Sequence, residues 1–172
     1  MTDLLDQLAG GDLRSIGRSQ EVVDEVLADP QQFGELISGM LHTDPVVRMR
    51  AADAVEKVTR SHPEWLQAYK TFLIEKVAPL DQPEVRWHVC QLLPHLELTP
   101  GERRIVVGIP DSYLSDKSSI VKTFAMQALA DLAMLDVELR QEVIEKIEAL
   151  TANGTPAMRS RGKKLLKMLK EE

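Results

Sequence analysis

The 172-residue chain predicts an all-α fold of about four to five stacked helical hairpins, on three observations. The first is a recurring segment. Asp44-Pro45-Val46-Val47-Arg48-Met49-Arg50-Ala51-Ala52-Asp53-Ala54-Val55 returns as Pro83 to Leu93, as Ser119 to Leu129 and as Pro156 to Leu166. Aligned on Val47, Val85, Val121 and Met158, the copies lie 38, 36 and 37 residues apart, and a basic residue follows each anchor: Arg48, Arg86, Lys122 and Arg159. A fixed period in this range marks stacked supersecondary units. The second observation is apolar spacing at i, i+3, i+4 and i+7, with no sustained alternation of period two. The third is punctuation by proline and small polar residues at helical intervals.

The elements follow in order. Residues 1–30 form a degenerate opening unit. Leu4, Leu5 and Leu8 suggest a short helix stopped by Gly10-Gly11. Ser19 is placed to cap a helix over 20–28, with Val22, Val23, Val26 and Leu27 as its apolar stripe. Asp29-Pro30 opens a helix whose stripe is Phe33, Leu36, Ile37, Met40 and Leu41. Asp44-Pro45 opens the next, burying Val47, Ala51, Ala54, Val55 and Val58. His62-Pro63 opens a helix with Leu66, Tyr69, Leu73 and Val77 inward, and Gln82-Pro83 another that ends near Pro94. Thr99-Pro100-Gly101-Glu102 has the pattern of a capping box. Gly108-Ile109-Pro110 then falls where the helix would continue, and should kink or break it. Helices over 117–134, 137–150 and 155–170 complete the set, with Asn153-Gly154 as a stop between the last two. The domain expectation is a single domain over 1–172, with 1–30 as a capping unit and repeats at 31–61, 62–98, 99–135 and 136–172.

The repeated Pro-x-Val-Arg-x-x-Ala-x-x-Ala-Val type stretch resembles the HEAT-repeat family over roughly residues 30–172. The fourth copy departs from the pattern through Gly162 and its lysines. The resemblance implies a right-handed α-α superhelix, a solenoid whose second helices line a concave face. The small residues Ala51, Ala125 and Gly162 fit close helix approach in such a stack.

Composition bounds the function. Hydrophobic residues make up 44% of the chain and aromatics 4%, so the core must be aliphatic. The net charge of −6 speaks against nucleic acid as a partner, because phosphate binding needs a basic stripe. That charge is uneven: residues 1–44 hold 2 bases and 9 acids, and residues 155–172 hold 6 bases and 2 acids. No apolar run reaches the roughly 20 residues that cross a bilayer. The acidic start has no signal-peptide pattern, and the one cysteine, Cys90, cannot form an internal disulfide. Together these predict a cytoplasmic protein without a membrane segment.

Candidate functional positions come from the helical wheel. With Val47, Ala51, Ala54 and Val58 inward, the side of that helix facing away holds Met49, Asp53, Glu56 and Arg60. Its equivalents are Trp87 and Gln91, then Thr123 and Gln127, then Ser160 and Lys164. On a concave wall, Met49, Asp53, Trp87, Gln91, Thr123, Gln127 and Lys164 would form ladders for a partner, with Trp87 and Met49 as an apolar anchor. Packing of Trp87 against a neighbouring helix is the competing reading. The ladder of Arg48, Arg86, Lys122 and Arg159 reads as structural, pairing with loop acids such as Asp44, Asp81 or Asp116; an anion-binding row is its alternative. The basic tail has a polar cap and a docking patch as its two readings.

Catalytic and metal signals are thin. His88 and His95 share a helix side with no third ligand, and Cys90 points away from His88. No His is followed by Glu, which speaks against the metal-binding hydroxylases of HEAT architecture. The sequence has no phosphate loop, dinucleotide fingerprint or nucleophile elbow. The expectation is a non-catalytic interaction module that binds a protein segment and uses no cofactor or metal. The alternative is a nucleic-acid enzyme resembling the HEAT-like alkylpurine DNA glycosylases, with Trp87, Asp53 and Arg50 around a lesion. A lyase-type partner of a pigment protein is a third use of the fold.

Overall fold

The computed structural model describes residues 3–171 and is helical throughout, with no strand among them. Ten α-helical segments follow one another: α1 (Ser19–Ala28), α2 (Phe33–Ser38), α3 (Pro45–Ser61), α4 (Lys70–Phe72), α5 (Pro83–Leu92), α6 (Pro100–Val106), α7 (Gly108–Tyr113), α8 (Ser119–Met134), α9 (Val137–Asn153) and α10 (Pro156–Lys170). Contacts divide the chain into two compact units, the first ending at Leu96 and the second beginning at Glu97. That boundary falls beside the predicted repeat border at 98.

The second helices start where the repeats predict, and three of the four starts, those of α3, α8 and α10, supply a side-chain cap. Asp44 Oδ1 accepts from Val46 N at 2.8 Å and Thr155 Oγ1 from Met158 N at 3.3 Å. Ser118 Oγ accepts from Val121 N at 3.3 Å. Proline stands at the first helical position of α3, α5, α6 and α10, where its missing N–H has no intrahelical partner to lose. The Thr99 capping box forms in both directions, Glu102 N to Thr99 Oγ1 at 3.2 Å and Thr99 N to Glu102 Oε2 at 2.8 Å.

In the first unit, α3 is the central element. It packs against α1, α2 and α5. Val47, Ala51, Ala54, Val55 and Val58 are buried as expected, and so are Met49, Arg50, Ala52, Glu56 and Thr59. The side expected to face away is therefore largely covered. Met49 is only 6% exposed, and Glu56 lies flat against its helix in a two-pronged pair with Arg60, 2.7 Å to each nitrogen. The cover comes from α1 and the chain before it, which the wheel of one helix does not contain.

Several local expectations are corrected. Ser19 is the first helical residue of α1 rather than its cap, and its hydroxyl points inward. Leu27 and Leu41 are exposed. For Leu41 the cause is a 3₁₀ turn over Gly39–Leu41, whose tighter winding carries the residue off a 3.6-residue stripe. The helix expected after His62 is a 3₁₀ run over Pro63–Tyr69, the short α4, and a π turn over Leu73–Val77. The tight and wide windings offset each other, so Leu66, Leu73 and Val77 are still fully buried while Tyr69 is half-buried. Phe33 meets Trp65 and Tyr69 edge-on, with ring centroids 5.7 and 5.6 Å apart.

In the second unit, α8, α9 and α10 pack against one another around Met126, Leu129, Ala130, Ala133, Leu139, Val143, Ile147, Met158, Leu165 and Leu169. The helix that follows Thr99 breaks at Val107, so Pro110 sits in the first turn of α7, where it displaces no helical hydrogen bond. Gly154 ends α9 with φ −85° and ψ 180°. Its role is space rather than a left-handed turn: a Cβ there would run into the Leu150 carbonyl and stand 2.8 Å from Met158 Cβ. Gly162 takes one place in the Met158–Leu165–Leu169 stripe, where a Cβ would overlap Thr151 Oγ1 and approach Met126 Cε to 3.2 Å.

Gly162→Ala separates propensity from packing. Helix propensity alone makes alanine about 1 kcal/mol more stable than glycine. The close approach of α9 instead predicts destabilisation by roughly 1–3 kcal/mol, eased by adding Thr151→Ala. Urea unfolding of the two variants reads the sign, and a more stable Gly162→Ala protein would remove the close-approach account.

Candidate functional site

The site begins with a buried cation. Arg50 is 3% exposed, and its partners among the described residues are backbone carbonyls of the loop before α1. Nη1 donates to Leu8 at 2.8 Å, Ala9 at 3.3 Å and Gly10 at 2.7 Å; Nη2 donates to Asp12 at 3.3 Å and Nε to Ser15 at 3.0 Å. A planar fork of five donors can collect carbonyls from one curved strand of chain in this way, and an ammonium cannot. The loop bends round it through glycines at positive φ, with Gly11 at 77° and Gly17 at 52°. At Gly17 a Cβ would also lie 2.7 Å from Arg50 Cζ, so that position has neither the backbone freedom nor the room for another residue.

Held in this way, the loop lays Leu13, Arg14, Ser15 and Ile16 beside α3 and α5. They enclose a cleft of about 200 Å³ with Met49, Asp53, Trp87 and His88. Three members of the predicted ladder, Met49, Asp53 and Trp87, thus meet at one place. Trp87 is half-buried, and Leu13 and Ile16 at the rim are 40% and 48% exposed. Gln91, also half-buried, is outside the cleft lining.

Asp53 is the electrostatic centre of this cleft. Its Oδ2 accepts from Ser19 Oγ at 2.5 Å and pairs with Lys57 Nζ at 2.8 Å, while His88 Nε2 stands 3.7 Å from Oδ1. His88 Nδ1–H donates to the Glu84 carbonyl at 2.6 Å, which turns Nε2 towards the carboxylate. Burial pushes the Asp53 carboxyl up, but the bonds from His88, Lys57 and Ser19 outweigh it and hold the group well below the usual carboxylate range. Ser, Asp and His meet here with the carboxylate in the middle and Ser19 fully buried. No histidine stands between the serine and the carboxylate, and the carboxylate that accepts from Ser19 is held as a weak base, so this is not the order of a catalytic triad. Among the described residues no three His, Cys, Asp or Glu side chains gather as a metal site. Cys90 is buried, and burial pushes its thiol up to about 12, far from a reactive thiolate at neutral pH.

The remaining ladder positions lie in the second unit. Thr123 is half-buried and bonds back to the Ser119 carbonyl at 2.8 Å. Gln127 accepts from Arg161 Nη1 at 2.6 Å and donates to Asp131 at 2.9 Å. Lys164 is exposed. By repeat alignment Gln127 is the equivalent of Asp53, and Arg161 of His88, so the same two positions of successive repeats are linked in each unit. That link was available from the repeat register, whereas the contribution of the loop Leu13–Ile16 has no periodic signal.

The basic row is not uniform. Arg48 Nη1 donates to His42 O at 2.7 Å and Thr43 O at 3.1 Å, and Nε to Gln82 Oε1 at 2.7 Å. Arg86 Nε donates to Leu80 O at 3.0 Å, with Asp81 3.4 Å from Nη2. Both hold the loop before their own helix. The side chains of Lys122, half-buried, and Arg159, exposed, have no hydrogen-bond or ion-pair partner among the described residues.

The pH dependence of stability follows from Asp53. Its folded-state carboxyl titrates below its unfolded value of about 3.9, so its contribution is complete above that pH. As pH falls through the folded-state value the contribution is lost, because the unfolded chain binds the proton first. Asp53→Asn is expected to lower the melting temperature at pH 7 and to flatten its decline below about pH 4. Equal acid slopes in the two proteins would place the sensitive carboxylate elsewhere.

A family model of the HEAT repeat domain matches residues 12–169. No curated protein and no solved structure gives a significant match. The matched span takes in the recurring segment, the capped second helices and the buried stripes described above, and this chain belongs to the HEAT repeat family.

Proposed function

We propose that this chain is a non-catalytic interaction module, and that a protein partner docks one apolar side chain into the cleft around Trp87. The observation that carries the reading is the convergence of Leu13, Ile16, Met49 and Trp87 on one cleft bounded by Arg14 and Asp53. An apolar centre with a charged rim is the composition of a binding hot spot. Its volume of about 200 Å³ takes a side chain rather than a larger ligand. Membership in a family of helical repeats supports the same reading. No helix of the described residues is long and apolar enough to cross a membrane, and a single buried cysteine suits a reducing compartment, the cytoplasm.

The glycosylase-like alternative places Arg50 beside Trp87 and Asp53. Arg50 is committed to loop carbonyls and Asp53 to Ser19 and Lys57, which leaves Arg14 as the basic side chain of the cleft lining.

The test is selection of a displayed random-peptide library on the intact protein, followed by affinity measurement of the enriched peptides. The expected product is a motif with one large apolar residue. Trp87→Asp, with its melting temperature checked, should weaken that peptide by about 2 kcal/mol or more, roughly 30-fold. Lys164→Glu reports whether α10 takes part. Enriched peptides that bind Trp87→Asp as well as wild type would refute the cleft, and release of base from alkylated DNA would favour the alternative.

A further inference from the structure

The row Arg48, Arg86, Lys122 and Arg159 occupies one position of the repeat, and its surroundings change along the chain. Arg48 finds an acceptor one repeat on, in the Gln82 side-chain amide, which in turn donates to Pro45 O at 2.9 Å. Gln82 is the residue before its second helix. By the repeat register, the residue in that place one repeat after Lys122 is Thr155. Threonine is too short to reach back as Gln82 does. Its hydroxyl instead caps Met158 N and lies 2.9 Å from Ser119 Oγ. What remains beside Lys122 is a cleft of about 380 Å³, lined by Leu114, Ala149, Leu150 and Met158 together with the polar Asn153 and Thr155.

We propose that this cleft binds a small organic monocarboxylate, its apolar body on Leu114, Leu150 and Met158 and its carboxylate on Lys122. The volume lies at the lower end of the roughly 300–1,000 Å³ range of small-molecule sites. The lining is mainly aliphatic, which calls for a compact hydrocarbon body. The one charged group on it is Lys122, half-buried and without a described partner. A single ammonium balances one negative charge. A phosphate, with its higher charge and several oxygens, is better matched by several cationic donors, and Lys122 is the one cation of this lining. The ligand's oxygen takes the place that the Gln82 amide oxygen fills for Arg48. The last turn of α9 also borders the cleft, and its free carbonyls attract a cation. That attraction is a structural role for Lys122, and it affects stability without regard to any acid.

The measurement is isothermal titration of the intact protein with hexanoate, cyclohexanecarboxylate and benzoate, each beside its neutral amide. Methyl NMR of Leu114, Leu150 and Met158 locates the site. At least one acid should bind about tenfold tighter than its amide and shift those methyls. Lys122→Met should abolish the preference, and Lys122→Arg should keep it. A purely structural lysine would change the melting temperature of Lys122→Met while acid and amide titrate alike in the wild type. That result would overturn the proposal, as would acid binding unchanged in Lys122→Met, or no titration by any of the three acids.

Discussion

The Arg50 guanidinium sits where water does not reach, and the carbonyls of Leu8, Ala9, Gly10, Asp12 and Ser15 take the place of its hydration. A buried charge is tolerated only when every donor finds an acceptor. Here the acceptors come from a loop that buries few side chains of its own, so charge and loop depend on each other. Without the loop, the cation on α3 would need water. Without the cation, five carbonyls would converge on an empty centre. The covering of α3, the wall of the Trp87 cleft and the inward turn of Ser19 towards Asp53 all follow from this one arrangement.

Further along the chain, side chains of one repeat are satisfied by the next. Asp53 meets His88, Gln127 meets Arg161, and Arg48 meets Gln82. These are polar links between neighbouring second helices, which are otherwise joined by alanine, valine and leucine with no directional preference. Apolar packing supplies most of the stability, but it tolerates sliding of one helix along another. Polar contacts at fixed repeat positions do not, and they favour one register between neighbouring repeats. The residue before each second helix contributes to what happens at the basic position one repeat back: Gln82 engages Arg48, and Thr155 does not reach Lys122, while Arg86 is held by its own loop.

The repeats, most of the caps and most of the inward stripes were legible in the sequence, Ser19, Leu27 and Leu41 apart, because each depends on residues near one another in the chain. Asp44, Thr99 and Thr155 act on backbone two or three residues away, and Val47 to Val58 obey a single helical period. The break at Val107 was equally local, through Gly108 and Pro110. Trp87, Met49 and Asp53 were found together because the repeat period projects sequence positions onto neighbouring helices. The loop Leu13–Ile16 was not found. Its placement depends on Arg50, more than thirty residues away, and nothing in the spacing of Gly10, Gly11 and Gly17 names that partner. Arg50 stands three residues after Val47 and four before Ala54, at the edge of the inward stripe, and nothing in that placing names a loop as its partner. Its burial follows from the shape of a loop, which has no period to read.

The two clefts differ in what their polar groups leave available. Around Trp87, Asp53 is already engaged by Ser19, Lys57 and His88, so the carboxylate organises the wall and offers little charge to a visitor. In the proposed docking, recognition there would fall to shape and to the apolar surface of Trp87, Met49, Leu13 and Ile16, which suits a protein side chain. Beside Lys122 the balance is reversed. The apolar wall is ordinary, while the cation has no described partner, so the group that gives direction to binding is the charge itself. A repeat architecture produces both from one template: the same register that satisfies a polar position in one copy leaves it open in another when a single neighbouring residue is shortened. The site proposed beside Lys122 is such a departure from the repeat, a position whose side chain lacks the partners that Arg48 and Arg86 keep.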